Sequence, residues 1–416
     1  MVGSGVSGMT AAYFLSRSHE VTVFEADDRL GGHTATKRVE AGGREWEIDT
    51  GFIVFNERTY PNFLRLLDEL GVEKRDSDMS FSVRNDRTGL EYNGTSINSL
   101  FAQRSNILRP SFWRMVRDIL RFYRSASELL EPGHEEVTLG DYLARGGYSR
   151  EFIEWHMAPM TAAVWSATRE GVDHFPARFL VEFFENHGFL QVDNRPQWYT
   201  VRGGSHAYIP ALTAPYRERV RLSTPVRGLE RSSSGVRVLT EGEAPEDFDA
   251  VVLATHSDTA LRILGHGATE AEREVLGDLA YQPNEVVLHT DANLLPRRQL
   301  ARASWNVHLT EGQSELVAVT YWMNLLQGLP LTDDTPQFCV TLNHTAGIDP
   351  EKVLGRYIYD HPVYTPAAVR AQARHGELNG SQRTWFAGAY WSYGFHEDGV
   401  KSAVEVCKDF GVGFGS

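Results

Sequence analysis

Cysteine is scarce in this sequence. Cys339 and Cys407 are the only two, too few for a disulfide framework and not in a C-x-x-C pair, which points to a reducing compartment. No apolar run approaches the ~18 residues that cross a bilayer, so no spanning helix is expected. The first residues lack a charged stretch followed by an apolar one, so no secretory leader is expected and the cytoplasm is the default. Positive charge is in deficit: a formal charge of -14 excludes nucleic acid as the main partner, because phosphate binding needs a basic surface. Familiar hydrolytic patterns are also missing. No G-x-S-x-G elbow occurs, and Ser205 and His206 are chain neighbours that do not face each other as a catalytic pair. His396-Glu397-Asp398 lacks H-E-x-x-H spacing, so no metal site is expected.

What is present is a long, mixed chain. Its 416 residues exceed one ordinary core, so two domains are expected. The N-terminus reads Met-Val-Gly-Ser-Gly-Val-Ser-Gly, placing Gly3, Gly5 and Gly8 in G-x-G-x-x-G spacing around Val6 and Ser7. A helix is predicted over Met9–Arg17 and a buried strand over Glu20–Phe24, closed by Glu25 and Ala26. Gly3 makes the tight turn, Gly5 admits a pyrophosphate, and Gly8 lets helix pack on strand. Phosphates then sit on unpaired N–H groups at the helix start, with Glu25 placed for a ribose diol. Only Met1 and Val2 precede Gly3, although that strand belongs in the middle of a parallel sheet. Three missing apolar residues forfeit roughly 4.5–9 kcal/mol at ~1.5–3 each. The expectation is therefore a start that lies a few residues upstream, with a tolerated stub as the alternative.

The residues after Ala26 decide the cofactor. Asp28-Arg29-Leu30-Gly31-Gly32-His33-Thr34 resembles the R-x-G-G-R-x-x-T-like run of the flavin amine oxidase, carotenoid desaturase and protoporphyrinogen oxidase superfamily. The resemblance implies that Gly31 and Gly32 pass close to the pyrophosphate and flavin, with Arg29 near the adenine ribose or phosphate. His33 stands where an arginine is usual. Glu47-Ile48-Asp49-Thr50-Gly51 resembles the next strand and glycine turn beside the isoalloxazine. At the far end, Trp385-Phe386-Ala387-Gly388 and Tyr393-Gly394-Phe395-His396-Glu397-Asp398-Gly399 resemble the second FAD signature, with Asp398 as one extra residue and Ala389 where an acid is common. A helix predicted over Val400–Lys408 then aims N–H groups at the charge that develops on a reduced flavin. Val201-Arg202-Gly203-Gly204 resembles the family's step back into the FAD domain. A hairpin is predicted over Val220–Leu239, with Val226 packing on adenine, and a buried strand over Phe248–Thr255.

The fold implied is α/β: a discontinuous Rossmann-like FAD-binding domain over 1–80, 200–265 and 375–416, and an α+β substrate domain with a helical cap over 81–199 and 266–374. FAD is expected to bind non-covalently, since neither Cys407 nor His33 makes a clear attachment point. In the cap, Thr138 with Asp141 predicts a helix start and Gly146 its end, and Pro176 opens a helix that stops at Gly188. Strands are predicted around Glu285–Thr290, Leu316–Met323 and Phe338–Leu342. A helix from Ser111 to about Leu130 has Phe112, Val116, Ile119, Leu120, Tyr123 and Leu130 on one face. Arg114, Arg117, Asp118, Arg121 and Arg124 share the other, with Arg104 and Arg109 just before. Two readings stay open: an ordinary cap helix with a solvated face, or a peripheral contact with the inner, anionic membrane surface.

Trp305, Tyr321, Trp391 and Tyr393 are the substrate-pocket candidates, with Phe395 at the position of one aromatic-cage tyrosine. No side chain stands out as a catalytic acid or base. The resemblance implies an FAD-dependent oxidase, dehydrogenase or desaturase, whose substrate lies in an apolar tunnel and gives up a hydride to the flavin. The electron acceptor that reoxidises the flavin stays open. Tyr321-Trp322-Met323-Asn324 and the 394–399 run are similar to a bacterial branch of predicted NAD/FAD-binding proteins, often encoded near cyclopropane-fatty-acid-synthase-like methyltransferases. That likeness implies a lipid acyl chain as substrate. Amine oxidation, a non-redox flavin mutase or isomerase, and a non-catalytic lipid carrier are the alternatives.

Overall fold

A computed structural model describes residues 1–191, 195–310 and 316–415. A parallel sheet organises the end of the molecule where the first and last segments of the chain meet. Val23–Phe24 pairs with Val220–Arg221, and Val251–Leu253 with Thr384–Phe386. Val2 joins the two pairs by parallel bridges to Phe24 and Leu253, with Val2 N–H donating to the Val252 carbonyl and Phe24 N–H to the Met1 carbonyl, both at 2.9 Å. Successive side chains alternate between two cores: Val23 and Val252 meet Met9, Phe14 and Val400, whereas Phe24, Val251 and Leu253 meet Val226 and Phe386. Both faces are therefore buried, as a parallel sheet requires.

Several predicted bounds are corrected. The first helix runs Val6–Leu15 rather than from Met9 to Arg17, because its N-cap is Gly5 and the motif itself forms the first turn. The strand read over Glu20–Phe24 is only Val23–Phe24, the two residues in register with Val220 and Arg221. The last helix starts at His396, four residues before Val400. The predicted hairpin divides, Val220–Arg221 joining the parallel sheet while Val226–Arg231 and Val236–Thr240 pair antiparallel. Of the strand read over Phe248–Thr255, Val251–Leu253 joins the parallel sheet, while Phe248 ends a separate antiparallel strand.

The second sheet has seven strands, in the order Val353–Pro362, Tyr281–His289, Cys339–Leu342, Ala318–Trp322, Trp305–Leu309, Phe81–Asn85 and Leu90–Asn93. Every pairing is antiparallel except that of Trp305–Leu309 with Phe81–Asn85. Helices cover it. Thr138 caps Leu139–Arg145 by accepting from Asp141 N–H at 3.2 Å, and Pro176 precedes Ala177–Asn186. The arginine-rich helix is Pro110–Ser125, continued by a 3-10 turn over Ala126–Leu130. Its buried face is Phe112, Met115, Asp118 and Phe122, and Leu120 lies exposed among the arginines. The face is rotated from the predicted one because it takes in a buried Asp118, which Ser149 N–H holds at 2.8 Å.

Candidate active site

The N-terminal glycines hold three different environments. Gly3 has φ +94°, a conformation that side chains rarely adopt. A methyl group added at Gly8 would lie 2.1 Å from the Gly3 carbonyl oxygen, so helix and turn touch there. One added at Gly5 would meet nothing within 4 Å, and one at Gly32 would meet the Gly5 Cα at 3.3 Å. Gly5 and Gly32 thus expose bare backbone to one open space. No side chain caps the Val6–Leu15 helix, so the first-turn N–H groups beside Val6 and Ser7 remain available to an anion.

Glu25 lies at the edge of this space. Its Oε2 accepts from Ser4 N–H at 2.8 Å and from the Ser4 hydroxyl at 2.5 Å. Oε1 accepts from Asp27 N–H at 2.9 Å and keeps a lone pair for a diol. Ala26 links Glu25 to Asp27 in the turn. Arg29 is directed to the loop itself, donating to the carbonyls of Gly32 at 2.8 Å and Thr34 at 3.2 Å. Gly51 lets two loops touch, since a Cβ there would meet the His33 carbonyl at 2.2 Å. Val226 lies in the core behind Phe24.

His33 lies half-buried among His256, His361 and Tyr359, with ring centroids 5.2–5.8 Å away. Burial, then the neighbouring imidazoles, hold its pKa well below the usual value, so it is neutral and adds no charge toward a phosphate. Its Nε2 has no hydrogen-bond partner among the described residues. Thr34 Oγ1, the Tyr208 hydroxyl and His396 Nε2 close a triangle, with His396 3.0 Å from Thr34 and 3.2 Å from Tyr208. His396 stacks on Phe52 at 3.5 Å, and burial lowers its pKa to about 3.

The other acids of the last signature also work inside the fold. Glu397 accepts from Asn62 N–H at 3.1 Å, the Asn62 amide at 2.6 Å and Phe63 N–H at 2.9 Å, capping the Pro61–Leu70 helix. Asp398 accepts from Phe395 N–H at 2.9 Å, and burial raises its pKa to about 7. A Cβ on Gly399 would come within 2.6 Å of Val6 and 2.9 Å of the Ser7 hydroxyl. That glycine brings Val400 and the last helix directly against the first, so the two ends of the chain build one site. Gly388 fixes the entry to this segment, its N–H donating to the Ser402 hydroxyl at 2.9 Å. Sequence reasoning overlooked Asn62, Tyr208 and Ser4, whose partners are remote or whose side chains carry no motif.

The aromatic candidates do not form one group. Trp305 and Tyr321 meet edge to face at 4.9 Å on the seven-stranded sheet. Trp391 stacks on His375 at 4.0 Å, in the core behind the parallel sheet. Tyr393 and Phe395 join the helical lobe: Phe395 stacks on Phe183 at 5.1 Å, and Tyr393 lies 4.6 Å from Phe179. The Tyr393 hydroxyl donates to Glu182 at 3.2 Å. Among the described residues, no three His, Cys, Asp or Glu side chains are arranged to hold a metal ion.

A bare-backbone turn at the start of the first helix, an acid at the end of the second strand and a second glycine-bearing helix against the first agree with one family model, described as flavin containing amine oxidoreductase, over residues 6–409. The chain belongs to this family. FAD is its cofactor, and the open face shared by Gly5 and Gly32, the uncapped first helix and the remaining lone pair of Glu25 fit that group. A Mycobacterium tuberculosis protein named as a flavin-containing monoamine oxidase, AofH, is 31% identical over 268 residues, covering 61% of this chain and 56% of its own. Protoporphyrinogen oxidase 2 of Arabidopsis thaliana is 29% identical over 213 residues, 49% of this chain and 40% of its own. The chain thus spans about half the length of these curated relatives. Among solved structures, cyclohexylamine oxidase from Brevibacterium oxydans IH-35A has a TM-score of 0.69 at 16% identity, covering 99% of this chain and 98% of that one. A CLA-producing fatty acid isomerase from P. acnes also scores 0.69 at 16% identity, covering 98% and 97%. Both share this fold.

Replacing Glu25 by Ala is expected to weaken FAD binding by roughly 1.5–3 kcal/mol, the range for a lost hydrogen bond to a charged group. Titration of FAD into the apoprotein measures it, and an unchanged affinity would place the ribose elsewhere.

Proposed function

We propose that this protein is an FAD-dependent oxidoreductase acting on an apolar substrate, a lipid acyl chain. In this reading the segments 1–80, 200–265 and 375–416 hold the cofactor, and 81–199 with 266–374 hold the substrate. When bound, FAD supplies the two-electron acceptor. The protein's part is to bind, orient and exclude water. Gly5 and Gly32 leave room for the pyrophosphate, Gly3, Gly8 and Gly31 shape the packed turns behind it, Glu25 takes the ribose, and the first turn of the His396–Lys408 helix offers its N–H groups. The observation that carries the substrate reading is the wall around Phe395. Phe395 and Phe183 stack face to face there, Phe179 and Tyr393 extend the wall, and the Tyr393 hydroxyl is engaged by Glu182. A wall of this kind suits methylenes, each worth ~0.8 kcal/mol when buried. The fatty acid isomerase with the same fold supports an acyl chain, as the oxidases of the family support redox turnover.

The test is anaerobic mixing of the holoprotein with a series of acyl compounds and with an amine panel, following the oxidised flavin band. Bleaching by acyl compounds that steepens with chain length is expected. Bleaching by amines alone would assign amine oxidation. Acyl turnover without net bleaching would assign an isomerase.

A further inference from the structure

Residues 94–125 carry six arginines and a single acid, Asp118, in a chain whose formal charge is -14. Of the nine exposed large hydrophobic side chains among the described residues, five lie in this same stretch: Ile97, Ile107, Leu108, Trp113 and Leu120. Leu108 is 87% exposed and Ile97 80%. These residues are neighbours in space. The Trp113 indole N–H donates to the Ile107 carbonyl at 2.9 Å, Trp113 packs on Phe101 at 5.4 Å, and Arg104 ties the Phe101 carbonyl to Asn98, beside Ile97. Along the helix, Trp113, Arg117, Leu120 and Arg124 recur at spacings of four, three and four residues, so they form one outward stripe. No carboxylate lies within ion-pair distance of Arg104 or Arg124 among the described residues.

From this surface we infer that residues 97–124 dock the protein on an anionic lipid bilayer, with Leu108, Ile97 and Trp113 entering the headgroup boundary and Arg104, Arg117 and Arg124 meeting lipid phosphates. Isolated exposed apolar residues are ordinary, but a group mixed with arginines on an otherwise acidic protein matches an interfacial helix in composition and in sign of charge. The inner face of the same helix leads inward: Phe112 and Met115 share one apolar cluster with Trp305 and Tyr321. Bilayer contact and candidate pocket therefore lie on opposite sides of one helix. The inference extends the acyl-chain reading, on which it rests for the nature of the partner.

The experiment is flotation of the holoprotein with vesicles of phosphatidylcholine alone and of phosphatidylcholine mixed with phosphatidylglycerol. Binding to the anionic vesicles only, weakened by added salt, is expected. Changing Arg104, Arg117 and Arg124 together to Gln should lower partitioning roughly five-fold per arginine, on the order of a hundred-fold in all. Leu108→Asn with Leu120→Asn should also lower it, and this pair of exposed changes should leave flavin content and thermal stability as they are. No binding to either vesicle, or equal binding by the arginine variant, overturns the inference. Self-association that Leu108→Asn abolishes, without vesicle binding, overturns it in favour of a second copy of the chain. Bleaching of the flavin by a short, water-soluble acyl compound tests the substrate reading separately, so either can fail alone.

Discussion

As pH falls below about 6.5 the protein is expected to lose stability steeply, before its exposed carboxylates are titrated. Five histidines set this window, four of them buried and His361 half-buried. Burial lowers His156, His187, His289 and His361 to about 4 and His396 to about 3. In the unfolded chain each takes up a proton near 6.5, while the folded state excludes it until about its lowered value. Their contribution is complete above 6.5 and is lost as pH falls, at about 1.4 kcal/mol per pH unit for each. Two carboxylates act in the opposite sense. Burial raises Asp49 to about 6 and Asp398 to about 7, so below those values they favour the folded state. These seven groups alone leave a net uptake of about three protons on unfolding, or ~4 kcal/mol per pH unit, and His33, lowered in the same sense, adds to it. A protein of ordinary stability, about 5–15 kcal/mol, would then unfold within a few units. Urea unfolding followed by circular dichroism from pH 7.5 to 5 measures the slope. A flat profile would mean that these imidazoles are protonated within the fold.

The parts of this molecule that were legible in the sequence are those whose causes are local. G-x-G-x-x-G states its own geometry, because turn, helix start and close packing all fall within eight residues. The Thr138 cap and the Pro176 start are local in the same way. Where the sequence misled, the cause was distant. Glu397 looks like a cofactor contact beside Gly399, yet its carboxylate caps a helix beginning at Pro61. Trp391 and Tyr393 are two residues apart, but the 3-10 turn Ala389–Trp391 sends one to His375 and the other to Phe179. The apolar stripe that includes Leu120 is displaced by a buried Asp118, a residue type that hydropathy patterns assign to solvent. Asp398, an insertion in the family pattern, becomes intelligible once its bond to Phe395 N–H starts the last helix early.

The last two glycines of the N-terminal motif give the clearest separation of folding from cofactor binding. Gly5 has φ -63° and ψ 177°, a conformation open to alanine, and an added Cβ would meet no protein atom within 4 Å. Gly5→Ala should therefore fold as well as the parent or be steadier by about 0.4–1 kcal/mol, through a less flexible unfolded chain. The same methyl group would stand in the space assigned to pyrophosphate, so the variant should purify colourless and take up little added FAD. Gly8→Ala should behave in the reverse order. Its Cβ would lie 2.1 Å from the Gly3 carbonyl oxygen and 3.1 Å from Ala254, and neither the turn nor the sheet behind it is free to retreat. Forcing helix and strand apart should cost about 1–3 kcal/mol or more, with flavin lost as a consequence of the displaced turn. Thermal unfolding of the two apoproteins, set beside the flavin absorbance of each as purified, distinguishes the cases. A yellow, fully occupied Gly5→Ala protein would move the phosphate site away from this turn, and a stable Gly8→Ala apoprotein would show that the helix and turn do not touch as described.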